Sequence, residues 1–174
     1  MLEARSRSFA IGTVLASNRR DDRASLDILL RGSAWKLIEV STCGEAKQAL
    51  GRQRVPIVLC DVALEDQPWQ MTLRRLRAAS SECAVVFLSN EPAPDLSREI
   101  AEYGELNRCG LGLCGLDLLV RPLDRELVLH SLFLAYGRWL SRLVYTQGYL
   151  GRYVAEGGPA GPLTPNERNT VRTR

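Results

Sequence analysis

The sequence predicts an α/β chain built on a doubly wound, five-stranded parallel sheet. Three observations carry that prediction. Short β-rich apolar runs alternate with longer segments of helical periodicity, five times over. Two of the runs, VPIVLC at 55–60 and AVVFLS at 84–89, are continuously apolar, as expected of strands covered by helices on both faces. Five β-then-α units of this length imply right-handed crossovers between parallel neighbours.

The strand candidates in order are 12–17 (GTVLAS), 35–40 (WKLIEV), 55–60, 84–89 and 117–120 (DLLV). Helix candidates lie at 21–31, 43–52, 69–79 and 94–103, with a fifth running from Asp124 past Leu140. Asp21 or Asp22 can accept from free N–H groups where the first helix starts, with Leu26, Leu29 and Leu30 facing inward and Gly32 as the stop. Residues 104–116 contain four glycines and read as a long flexible loop. Residues 151–174, rich in Gly, Pro, Thr and Arg, read as a disordered tail. This places one domain at 11–144, followed by a helical extension and tail at 145–174.

Length and composition agree with one soluble domain: 174 residues, 45% hydrophobic and 25% charged. The net charge of +3 lies at the ends, because residues 1–10 carry +1 and residues 145–174 carry +2, leaving 11–144 neutral. A nucleic-acid partner would rest on the tail alone and is disfavoured. No apolar run reaches the roughly 18–20 residues that span a bilayer, and the N-terminal segment makes no convincing signal peptide. The cysteines are Cys43, Cys60, Cys83, Cys109 and Cys114, without a CxxC, which fits free thiols in a reducing cytoplasm. A zinc site lacks a second pair and a nearby His.

In a doubly wound sheet ligands sit at the carboxyl ends of the strands. There the sequence offers Ser17-Asn18-Arg19-Arg20 after strand one, Asp61 after strand three, Ser89-Asn90 after strand four and Arg121-Pro122 after strand five. With VPIVLCD (55–61), VVFLSN (85–90) and DLLVRPLD (117–124), this set resembles the receiver domain of bacterial response regulators over residues 11–140. The resemblance implies a flavodoxin-like receiver fold in a two-component system. It makes Asp61 the phosphoacceptor candidate and Ser89, Arg121 and Pro122 the phosphate-sensing candidates. Arg121 stands where the family has Lys, Pro122 matches a proline commonly in the cis form, and Ala63 matches a metal-binding carbonyl.

The departures from the family pattern are equally specific. Ser17 and Asn18 occupy the positions of the two acidic residues that hold Mg²⁺ in the family, and Leu118 replaces an aromatic conformational reporter. Mg²⁺ prefers hard, usually anionic oxygen ligands, so the expectation is no metal and no other cofactor. Reading Asp21 and Asp22 as the acidic pair would require Arg19 and Arg20 to end a buried strand, and that register is rejected. With the metal gone, Asp61 is expected to pair directly with Arg121, whose planar fork suits a carboxylate.

His130 falls on the last helix, away from the strand ends, and reads as a surface or interface residue. Along that helix Leu127, Val128, Leu132, Phe133, Tyr136, Trp139, Leu140, Leu143 and Val144 give more apolar surface than one core face needs. Trp139, Leu143, Val144 and Tyr145 are expected to form a face for a partner or a second copy, with Gly148 as the first strong breaker. The leading expectation is a degenerate, stand-alone receiver acting as a cytoplasmic signalling adaptor, not an enzyme. A histidine kinase or other signalling protein is its expected partner, with a possible homodimer through the last helix. The alternatives are a functional phosphoacceptor modified at Asp61 by a histidine kinase and, in another class, a small flavodoxin-like enzyme. The enzyme reading lacks a phosphate-cradling glycine loop after strand one and a Ser/His/Asp set.

Overall fold

The computed structural model describes residues 10–106 and 116–155. Five parallel strands, β1 (Ile11–Ala16), β2 (Trp35–Val40), β3 (Ile57–Asp61), β4 (Ala84–Ser89) and β5 (Leu116–Val120), pair in the order β2-β1-β3-β4-β5. The helices are α1 (Arg20–Leu29), α2 (Cys43–Arg52), α3 (Trp69–Ala79), α4 (Pro94–Leu106) and α5 (Arg125–Ala155). Both the fold class and the five alternations are as the sequence predicts.

Period-two alternation divides each central strand between two cores. Val58 and Cys60 of β3 face Ala46 and Leu50 of α2 and Leu73 and Leu76 of α3. Ile57 and Leu59 face the other way, onto Leu26 of α1 and Val128 and Leu132 of α5. Every residue of β3 and β4 is buried, which accounts for their unbroken apolar sequences. At the edge, Trp35 of β2 meets Phe133 and Tyr136 edge-on, with ring centroids 5.7 and 5.8 Å away.

Local chemistry explains most boundaries. Thr42 and Glu45 form a reciprocal capping box that starts α2. Helix α1 stops at Leu29, and Gly32 takes the left-handed conformation, φ +78°, in the turn that follows. Its first-turn acids do not cap it: Arg19 is the N-cap residue and makes no side-chain cap bond. Two expectations need correction. Residues 104–106 and 116, read as loop, belong to α4 and β5, while 107–115, with Cys109 and Cys114, lie outside the described residues. Helix α5 passes through Gly148 to Ala155, so residues 151–155 are helical and not tail. One glycine costs a helix only about 1 kcal/mol relative to alanine, less than a proline. The chain divides into two compact units between Arg142 and Leu143.

Candidate functional site

The parallel register brings Ser17, Asp61, Ser89 and Arg121 to one end of the sheet, each at or just past the carboxyl end of its strand. Asp61 is the last residue of β3 and is 8% exposed. One carboxylate oxygen, Oδ1, accepts the Ala63 N–H at 2.8 Å, closing a tight turn. The other, Oδ2, accepts from Nη2 of Arg121 at 2.7 Å. The expected Asp61–Arg121 pair is therefore present.

Arg121 does more than that. Its Nε and Nη2 form a two-pronged bond, both at 2.6 Å, with Oδ1 and Oδ2 of Asp22. Its Nη1 donates to the Asn90 side-chain oxygen at 3.0 Å. The backbone that carries it is fixed too, since its N–H donates to the Ser89 carbonyl at 2.9 Å and the Arg121-Pro122 peptide is cis. One guanidinium thus bridges two carboxylates arriving from α1 and β3. The planar fork makes this possible where an ammonium would not reach both in the same way.

Asp22 is the member that sequence reasoning missed. Rejecting Asp21 and Asp22 as the end of β1 was right, because β1 ends at Ala16. Asp22 instead reaches the site from the first turn of α1, four residues before the fully buried Leu26 and on the same helix face. That i, i+4 relation was the available signal: an inward-facing position occupied by an acid. It is 2% exposed, and its Oδ2 also accepts from the Ser17 hydroxyl at 2.5 Å. Burial pushes the Asp22 carboxyl up, but the Arg121 and Ser17 hydrogen bonds and the charges of Arg121 and Arg19 outweigh it and hold it below its ordinary value. Burial likewise pulls the Arg121 guanidinium down, and the two aspartates more than restore it.

Of the remaining candidates, Ser17 joins this cluster through Asp22, and the Asn18 and Ser89 side chains do not reach its carboxylates or guanidinium in the same way. Ser17 is fully buried and committed to Asp22 and to the Arg19 N–H, whereas Asn18 is exposed. Ser89 is buried, and its hydroxyl turns to the backbone of Glu91, donating to the carbonyl at 3.0 Å and accepting from the N–H at 3.3 Å. Leu118 packs partly buried against the core. His130 is exposed on α5. Both carboxylates already hold the guanidinium, Ser17 is occupied, and no group of three or more His, Cys, Asp or Glu is suitably gathered among the described residues.

No protein-family profile matches the chain, and no curated protein matches it. Solved structures do. The signal receiver domain of an HD domain-containing protein from Pseudomonas fluorescens Pf-5 is 18% identical, with TM-score 0.62, covering 81% of this chain and 97% of that one. The beryllofluoride-activated NtrC4 receiver domain dimer is 14% identical, with TM-score 0.59, covering 74% and 98%. A structure described as adenylate cyclase from Rhodopirellula baltica is 11% identical, with TM-score 0.64, covering 82% and 98%. The chain has the receiver-domain fold of two-component signalling proteins. Among the described residues, no helix is long and apolar enough to cross a membrane.

Proposed function

We propose that this chain is a degenerate receiver domain that works as a cytoplasmic signalling adaptor, by protein–protein contact and without Mg²⁺-dependent phosphorylation. The observation that carries this reading is the Arg121 guanidinium bridging Asp22 and Asp61 at 2.6 and 2.7 Å. The guanidinium ties Asp61 to a second, buried carboxylate, and both Asp61 oxygens are already hydrogen-bonded. An incoming phosphoryl group would have to displace Arg121 from a second carboxylate, and Ser89 is turned away from the position.

Contact surfaces support the adaptor role. Leu127, Phe133, Leu134 and Leu140 of α5 are 61%, 62%, 46% and 41% exposed, an apolar face of the kind that docks a histidine kinase, another signalling protein or a second copy. The NtrC4 relative is itself a dimer. The face keeps one member of the one expected from the sequence, Val144, which is 71% exposed; Trp139 is half-buried and stacks on Tyr136 at 5.6 Å, Leu143 is half-buried, and Leu127 and Leu134 stand outside. The side chain of Tyr145 lies outside the described residues.

The test is a mass spectrum after incubation with a small acyl phosphate and Mg²⁺. The expected result is no phosphoryl adduct. An adduct present in the wild type and absent from Asp61→Asn would instead establish the phosphoacceptor alternative.

A further inference from the structure

A second polar concavity lies at the opposite end of the sheet, where β3 and β4 begin. It is a cleft of about 270 Å³ lined by Arg52, Gln53, Arg54, Ser80, Glu82 and Trp139, with the ends of α2 and α3 forming its walls. Arg142 holds α5 to its rim by donating to the Ser81 and Glu82 carbonyls at 3.1 and 3.3 Å. Trp139 is fixed from behind by its stack on Tyr136, which in turn abuts the buried Trp35. The indole is therefore a supported aromatic surface at the cleft, not a mobile side chain.

The charges here are not used by the fold. Arg52 and Arg54 are exposed and make no hydrogen bond or ion pair with the described residues, and Glu82 is the only acidic side chain lining the cleft. Two free guanidinium groups offer bidentate sites for phosphate oxygens. A flat indole offers a face on which any base can stack. The Glu82 carboxylate supplies an acceptor for an exocyclic amine. The volume lies just below the usual range for ligand sites and suits one small molecule, not a docked helix.

We propose that this cleft binds a mononucleotide, with the base on Trp139 and the phosphate on Arg52 and Arg54. The site is separate from the Arg121 cluster and does not depend on how that cluster is read.

Tryptophan fluorescence of the full chain reads it directly. Trp35 and Trp69 are 3% and 7% exposed, so quenching by a ligand reports Trp139. Titration with adenosine or guanosine monophosphate should give saturable quenching with a Kd on the order of 1 mM or tighter. Inorganic pyrophosphate should compete without quenching, and ribose 5-phosphate should bind at least about fivefold more weakly than the nucleotide. The exposed substitutions Arg52→Gln and Arg54→Gln should each weaken binding about tenfold with the fold unchanged by circular dichroism. No saturable quenching, unchanged affinity in the double Arg variant, or equal affinity for ribose 5-phosphate would each overturn the assignment.

Discussion

Removing the Arg121 guanidinium asks whether Asp22, Asp61 and Arg121 form a buried network or an ordinary surface pair. Arg121→Gln leaves two carboxylates whose oxygens lie at most about 5 Å apart, because both bond the same nitrogen. Their side chains are 3% and 11% exposed, so water replaces little of the lost cation. Breaking a buried pair by removing one partner costs roughly 3–5 kcal/mol. Three short charge-assisted bonds are lost together here, which puts the expectation in the upper part of that range.

The pH dependence has a definite sign. In the wild type the Asp22 carboxyl lies below its ordinary value, because the Arg121 and Ser17 bonds outweigh burial. Its stabilising contribution is therefore complete above the unfolded carboxylate pKa and is lost as pH falls through the folded one. In Arg121→Gln, burial and the neighbouring like charge raise the Asp22 carboxyl instead, so the variant recovers stability as it takes up a proton on acidification. Urea unfolding between about pH 7.5 and about pH 4.5 should show the wild-type advantage largest near neutrality and shrinking toward acid. The triple variant Asp22→Asn, Asp61→Asn, Arg121→Gln should regain most of the loss. A cost under about 1 kcal/mol that does not vary with pH is what an exposed pair gives, and it would refute the buried network.

Mg²⁺ at millimolar concentration should give no saturable heat in calorimetry and no change in Trp69 emission; saturable binding would show that the carboxylates release Arg121 for a metal. Cys43, Cys60 and Cys83 are buried and their thiols are pushed up by that burial, so a thiol reagent at neutral pH should leave these three unlabelled until denaturant is added. The double variant Leu127→Ser, Leu134→Ser should keep the fold, since both side chains are exposed, yet lose self-association or partner capture. Sedimentation equilibrium and pull-down with candidate histidine kinases measure this, and normal behaviour of the variant in both would remove α5 as the docking face.

The sequence by itself determined the fold class and the five alternations, because strand burial and helix amphipathicity are local periodicities. β2, α2, α3 and β4 fall at their predicted residues, where capping box, proline and apolar runs mark the ends. It also determined that Asp61, Ser89 and Arg121 lie at one end of the sheet, since a parallel sheet puts all its carboxyl ends together. Only the tertiary structure decided that Arg121 also holds Asp22. Asp22 is 99 residues away in sequence, and its acid on an otherwise apolar helix face acquires meaning only when α1 packs against β5's end. Ser89 faces Glu91 and not Asp61 because backbone groups beside it compete for its hydroxyl. The exposed side of α5 was decided in the same way. Periodicity identifies an apolar surplus, but the partner surfaces of Trp35 and the α2–β3 turn determine that Tyr136 and Trp139 turn inward and Leu127, Phe133 and Leu134 stay outside.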